Sequence, residues 1–162
     1  MNKKVIYLIA FLALAFAAFY MYQKYRVAPA VNFTQLSLTD LNGQPVQFSS
    51  FKGKKTVVCF SASWCPNCRV ELKDINQVKG ELPDVEILVI SDEPLDVVNA
   101  FKEKMGYPFT FLKMNQSFNA IGINSIPVSY LFNINQEVKK ESVGYLDWKD
   151  PSTLVHLKKI ME

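Results

Sequence analysis

Two cysteines separated by two residues, Cys65-Pro66-Asn67-Cys68, are the part of this sequence whose types and spacing most directly permit chemistry. Such a pair can hold a disulfide, pass it to a visiting thiol pair and take it back. A loop that short adds little stability by restraining the unfolded chain, so a chemical purpose fits better than a structural one. Metal ions use the same spacing. Structural zinc takes four Cys or His ligands, and only Cys59 and the single His156 stand outside the pair, so no zinc site is expected. Two thiolates alone could still hold Cu(I). An odd count of 3 cysteines argues against a disulfide framework.

The attacking species in disulfide exchange is the thiolate, so a working pair needs neighbours that favour negative charge. Residues 56–60 (TVVCF) are apolar or β-branched throughout, which predicts a strand covered on both faces. After the pair, Val70, Leu72, Ile75 and Val78 recur among polar residues at helical spacing. Pro66 suits the first turn of that helix, where its missing N–H is no loss. Cys65 is thus expected at a strand-to-helix turn, where unpaired backbone N–H groups and the positive end of the helix dipole favour an anion. Cys65 is read as the exposed nucleophile, and Cys68, one turn inside, as the thiol that resolves the mixed disulfide.

Other segments supply a scaffold for that unit. Residues 33–38 and 46–48 alternate apolar and polar about the turn Asp40-Leu41-Asn42-Gly43 and predict a β-hairpin, with a second turn at Lys52-Gly53-Lys54. Strands are expected at residues 85–90, 109–112, 128–132 and 138–143, and helices at 95–105, 118–121 and 152–160. This succession describes an α/β protein: a central mixed β-sheet with helices on both faces, preceded by the hairpin. With 162 residues, 49% of them hydrophobic, the chain can bury one core and is expected to form one globular domain.

The amino-terminal residues read differently. Residues 5–22 are an unbroken apolar run without a charge, and a membrane-spanning helix needs about 17–25 residues. Lys3 and Lys4 precede the run, while Tyr20, Tyr22 and Tyr25 at its far end suit a membrane interface, which leaves the amino terminus in the cytoplasm. The expected organisation is a leader at 1–4, a signal-anchor helix at 5–22, a linker at 23–32 in which Pro29 discourages further helix, and a domain at 33–162. The alternative is a secretory signal cleaved near Ala28-Pro29-Ala30. Lys24 and Arg26 speak against it, since they charge the approach to that site. Both readings export the domain.

The formal charge of +3 says nothing for nucleic acid once it is divided along the chain. Of the 18 basic residues, Lys3, Lys4, Lys24 and Arg26 lie in the first thirty, where no acid occurs, leaving 14 against 15 acidic side chains. The remaining basic clusters are short and flank apolar runs, as solvated element ends do.

Trp64-Cys65-Pro66-Asn67-Cys68 after an apolar strand, followed far downstream by Ser125-Ile126-Pro127, resembles the thioredoxin superfamily. Leu38-Thr39-Asp40-Leu41-Asn42-Gly43, Phe48-Ser49-Ser50-Phe51-Lys52-Gly53-Lys54 and the apolar leader are similar to the TlpA/ResA group of bacterial membrane-anchored thiol–disulfide oxidoreductases. The resemblance spans residues 33–162. It implies a thioredoxin-like fold with a redox-active Cys65–Cys68 disulfide and no other cofactor. Pro127 would be a cis-proline facing the pair, with the Ile126 backbone pairing with an extended substrate; by residue type alone Pro127 could equally open a strand. Trp64 would shield the disulfide, or else pack in the core. Glu71, three residues after Cys68, would shuttle protons or tune thiol acidity, or else lie solvated on a helix face. Cys59 departs from the pattern, standing where the superfamily has a buried acid and the group often has Asn.

The resemblance further implies reduction of disulfides in exported proteins at the outer face of a bacterial cytoplasmic membrane. A membrane thiol transporter would then resupply electrons. Three rivals stand beside it: a dithiol oxidase or isomerase on the same scaffold, a peroxidase, and a Cu(I) metallochaperone that is not an enzyme. The peroxidase reading wants Thr or Ser three residues before its reactive cysteine, where Cys65 has Ala62 and Cys68 has Cys65.

Overall fold

The computed structural model describes residues 3–161, so Met1 and Asn2 of the expected leader lie outside the described residues. The first element, α1 (Lys3–Arg26), is apolar through residues 5–22, and every residue from 3 to 24 is exposed. It is long and apolar enough to cross a membrane. It also runs through the first residues of the expected linker.

The expected hairpin is present but short. Asn32 accepts a hydrogen bond from the Thr34 N–H and starts a single 3-10 turn at Phe33–Gln35, which takes up residues read from alternation as strand. What remains is β1 (Leu38–Thr39) paired antiparallel with β2 (Pro45–Val46). A second 3-10 turn, Phe48–Phe51, leads into β3 (Lys55–Phe60). Then follow α2 (Pro66–Val78), β4 (Val85–Ser91), α3 (Leu95–Met105), β5 (Thr110–Met114), a 3-10 turn at Phe118–Ile121, β6 (Val128–Phe132), β7 (Val138–Val143) and α4 (Pro151–Ile160).

The seven strands form one sheet in the order β2-β1-β5-β4-β3-β6-β7. β3 runs parallel to β4 and β4 parallel to β5, while β6 lies antiparallel to β3 and β7 to β6. Helices on both faces were expected, and helical segments do cover both, unequally. The crossovers β3-α2-β4 and β4-α3-β5 step in the same direction, and right-handed crossovers then place both helices on one face. Leu72 and Ile75 of α2, Val98 and Phe101 of α3, and Leu154 and Leu157 of α4 accordingly share one core with Val57, Val89 and Leu131. The opposite face is covered by the 3-10 turns at Phe33–Gln35, Phe48–Phe51 and Phe118–Ile121, whose Phe33, Phe48 and Phe118 pack with Val58, Phe60, Leu88, Tyr130 and Phe132. From Val57 to Phe60, alternate residues of β3 serve the two cores, which is why that stretch of sequence lacks a polar position.

Candidate active site

The site grows out of the end of β3. Ser61 donates its N–H to the Ile90 carbonyl at 2.9 Å, the last tie to β4, and the chain then turns through Ala62, Ser63 and Trp64 into α2. Two charged side chains fix that turn. Glu93, just past β4, accepts the Ser63 N–H and the Ser63 hydroxyl, each at 2.7 Å, and the Ser91 hydroxyl at 3.1 Å. Arg69 donates to the Ser63 carbonyl at 2.6 Å. Neither residue was singled out from the sequence; the available signal was the polar run Ser91-Asp92-Glu93 directly after a buried strand, where an α/β sheet opens its crevice.

Cys65 is the N-cap of α2 and Pro66 follows at the first helical position. The Cys65 sulfur takes the role a Ser or Asp oxygen usually plays at a cap, accepting the Cys68 N–H at 3.2 Å. The two sulfurs are joined as a disulfide across a Cα–Cα distance of 5.3 Å. Cys65 retains 4% exposure and Cys68 1%, so only an edge of the outer sulfur is open to a partner. Above it, the Ile126–Pro127 peptide bond is cis, and the Ile126 carbonyl oxygen lies 3.9 Å from the Cys65 sulfur. Ile126 packs on Ala62 and the two cysteines, and the Gly144 N–H holds the Pro127 carbonyl at 2.8 Å.

Trp64 is 67% exposed and so is not a core residue. It forms one wall of a groove of about 410 Å³ with Asp92, Phe118, Asn124 and Ile126. A larger groove of about 480 Å³ sits at the other end of the parallel strands, among Lys54, Lys55, Lys79, Asp84 and Glu86. The smaller one is next to the pair through Ile126, which lines it and packs on both cysteines.

Glu71 lies one turn beyond Cys68 on α2 and is buried, not solvated on a helix face. Its Oε1 accepts from the Trp148 indole N–H and from the Ser129 hydroxyl, both at 3.1 Å. Its Oε2 is buried without a partner of hydrogen-bonding geometry among the described residues. Burial pushes the Glu71 carboxyl up to about 7, against the pull of Trp148, Ser129 and the Leu146 backbone. Directly beneath, Cys59 on β3 faces Ser129 on β6 as its cross-strand partner, with 3.6 Å between hydroxyl oxygen and sulfur. Burial, and next the Glu71 carboxylate, push the Cys59 thiol far above its ordinary value. His156, the remaining metal-ligand type noted in the sequence, is exposed on α4.

A Cys-x-x-Cys disulfide at a helix start beside a cis-proline, on a mixed sheet of this order, defines the class of thioredoxin-like thiol–disulfide oxidoreductases. The chain belongs to the AhpC/TSA family, whose sequence profile matches residues 28–141. It is 28% identical over 155 residues to the thiol-disulfide oxidoreductase ResA of Geobacillus thermodenitrificans, covering 91% of this chain and 89% of that protein. It is 29% identical over 124 residues to the sporulation thiol-disulfide oxidoreductase A of Bacillus subtilis, covering 72% and 74% respectively. Among solved structures, a thiol:disulfide interchange protein of the thioredoxin family from Chlorobium tepidum superposes with a TM-score of 0.64 at 25% identity, over 84% of this chain and 99% of that one.

Proposed function

We propose that this protein is held in a bacterial cytoplasmic membrane by α1 and reduces disulfides of exported proteins on the outer side. The observation that carries the reading is the placement of the Cys65 sulfur: capped by the Cys68 N–H at 3.2 Å, and 3.9 Å from a carbonyl of the cis Ile126–Pro127 loop. That amide is one of the unpaired donors of a helix start, and it favours a thiolate on Cys65 once the disulfide is opened.

In the reduced protein the Cys65 thiolate attacks one sulfur of a substrate disulfide, whose other sulfur leaves as a thiolate and takes a proton. The substrate backbone pairs with Ile126, which aligns the three sulfurs. Cys68 then loses its proton and attacks the Cys65 sulfur; the mixed disulfide breaks and the second substrate sulfur leaves. Two electrons have passed to the substrate, and Cys65–Cys68 is again a disulfide. Glu71 is the acceptor for the Cys68 proton, a role supported by its burial on the same helix face and by a carboxyl held near 7, where it exchanges protons readily. An external dithiol must restore the reduced pair, and a membrane thiol transporter is the partner that suits an anchored domain.

Equilibration of the pair against glutathione tests the direction. A potential near that of thioredoxin, about −270 mV, is expected; one near the strongly oxidising value of about −120 mV would turn the protein into an oxidase.

A further inference from the structure

Residues 23–32 carry the composition of a loose linker, yet the structure ties residues 28, 29 and 31 to the domain. Pro29 sits over Gly122 so closely that a Cβ there would lie 3.1 Å from the Pro29 Cβ. The Pro29 carbonyl accepts the Tyr130 hydroxyl at 2.6 Å, and the phenol stays a donor because burial, followed by Glu141, raises its pKa well above the ordinary value. Ala28 and Val31 pack against the same core as Phe33, whose ring meets Phe48, Tyr130 and Phe132 at centroid distances of 5.0, 5.1 and 4.8 Å. The end of α1 reaches the redox groove as well: Asn124, which lines it beside Trp64, donates to the Lys24 carbonyl at 3.5 Å.

Chain length makes the consequence quantitative. Five residue-to-residue steps lead from Lys24 to the docked Pro29, and a fully extended chain advances at most about 3.6 Å per step. Even with the Asn124 contact broken, the Gly122 face cannot leave the outer end of α1 by more than about 18 Å. A loose linker of ten residues would give twice that reach and no fixed orientation.

We propose that residues 28–31 are a clamp that holds the groove between Trp64 and Asn124 at the bilayer surface, so that the disulfides it meets belong to membrane-held polypeptides and lie at headgroup level. This rests on the reading of α1 as a membrane anchor. The groove's wall suits an extended backbone flanked by apolar and amide-binding side chains, and the short leash removes freely diffusing partners' advantage by fixing the height at which exchange occurs.

The two tryptophans of the chain make the position measurable, since Trp64 is exposed and Trp148 fully buried. Full-length protein is reconstituted into vesicles containing lipid with a nitroxide on the headgroup, alongside a variant with about a dozen Gly/Ser residues inserted between Arg26 and Val27. Expected is strong quenching of the native protein, several-fold weaker quenching of the extended variant, and weak quenching of a Trp64→Phe blank. With a disulfide peptide on a short lipid tether, the extended variant should exchange several-fold more slowly than the native protein, and with the same peptide free in solution the two should match. Equal quenching, or equal rates on the tethered peptide, would overturn the clamp while leaving the exchange function standing. Protein that fails to float with the vesicles would overturn the anchor and the clamp together, and absence of exchange with the free peptide would overturn the proposed function instead.

Discussion

Cys59 and Cys65 stand six residues apart and bear the same functional group, yet the structure gives them opposite surroundings. Cys59 lies inside β3 between covered faces, 1% exposed, with its nearest polar group a hydroxyl and its nearest charge a carboxylate. Both features favour the neutral thiol. Cys65 lies where β3 has ended and α2 begins, with an amide hydrogen aimed at its sulfur and Ile126, a wall of the adjoining groove, packed against it. The five residues between the two sulfurs carry the chain from an environment that favours a neutral thiol to one whose helix-start amide favours a thiolate.

The sharpest way to break that comparison is to exchange the roles by mutation. Cys65→Ser should abolish dithiol exchange, a loss of about a thousandfold or more in insulin reduction. Cys59→Ala in the same assay should stay within about threefold of the native rate, because its sulfur has no route to substrate. Next in size is Cys68→Ser, which removes the resolving step. Non-reducing gels of cells carrying it should reveal covalent adducts through Cys65, and an absence of adducts under both reducing and oxidising growth would count against exchange.

Glu71 shares the Ser129 hydroxyl with Cys59, and its effect is read in stability. The unfolded carboxyl titrates near 4.5 and the folded one near 7, so between these values the unfolded state has released a proton that the folded state keeps. Stability therefore falls as pH rises across this window, by up to about 3 kcal/mol, and is level with respect to this group on either side. Glu71→Gln should remove that slope: relative to the native protein in urea unfolding, the variant gains stability at pH 8 compared with pH 5. A matching slope in both proteins would show that Glu71 is ionised in the fold throughout. The smallest expected effect is the stability cost of Cys59→Ala, about 1 kcal/mol for a small cavity in a packed strand interior.

Much of this was legible along the chain. The apolar run of β3, the helical spacing after Cys68 and the limits of α3, β6 and β7 follow from local pattern, since each element buries its own residues in a regular period. The pair at the helix start follows from the same reading, because strand, turn and helix are adjacent in sequence. What escaped is what only the fold brings together. Glu71 is buried against Ser129, 58 positions away, and Trp148, 77 positions away, and no periodicity connects them. Glu93 holds Ser63 from 30 positions away. The hairpin shrank because one Asn32 side chain favours a 3-10 turn, and the α-helices gathered on one face because strand order, which sequence does not display, sets the side of each crossover.

The central claim is that α2 makes Cys65 the nucleophile, and timed alkylation with iodoacetamide tests it most directly. Fully reduced full-length protein is labelled near neutral pH and the sites are mapped by mass spectrometry. Cys65 should be modified first, Cys68 well behind it, and Cys59 only after unfolding. Labelling of Cys59 in the folded protein, or of Cys68 ahead of Cys65, would contradict the account.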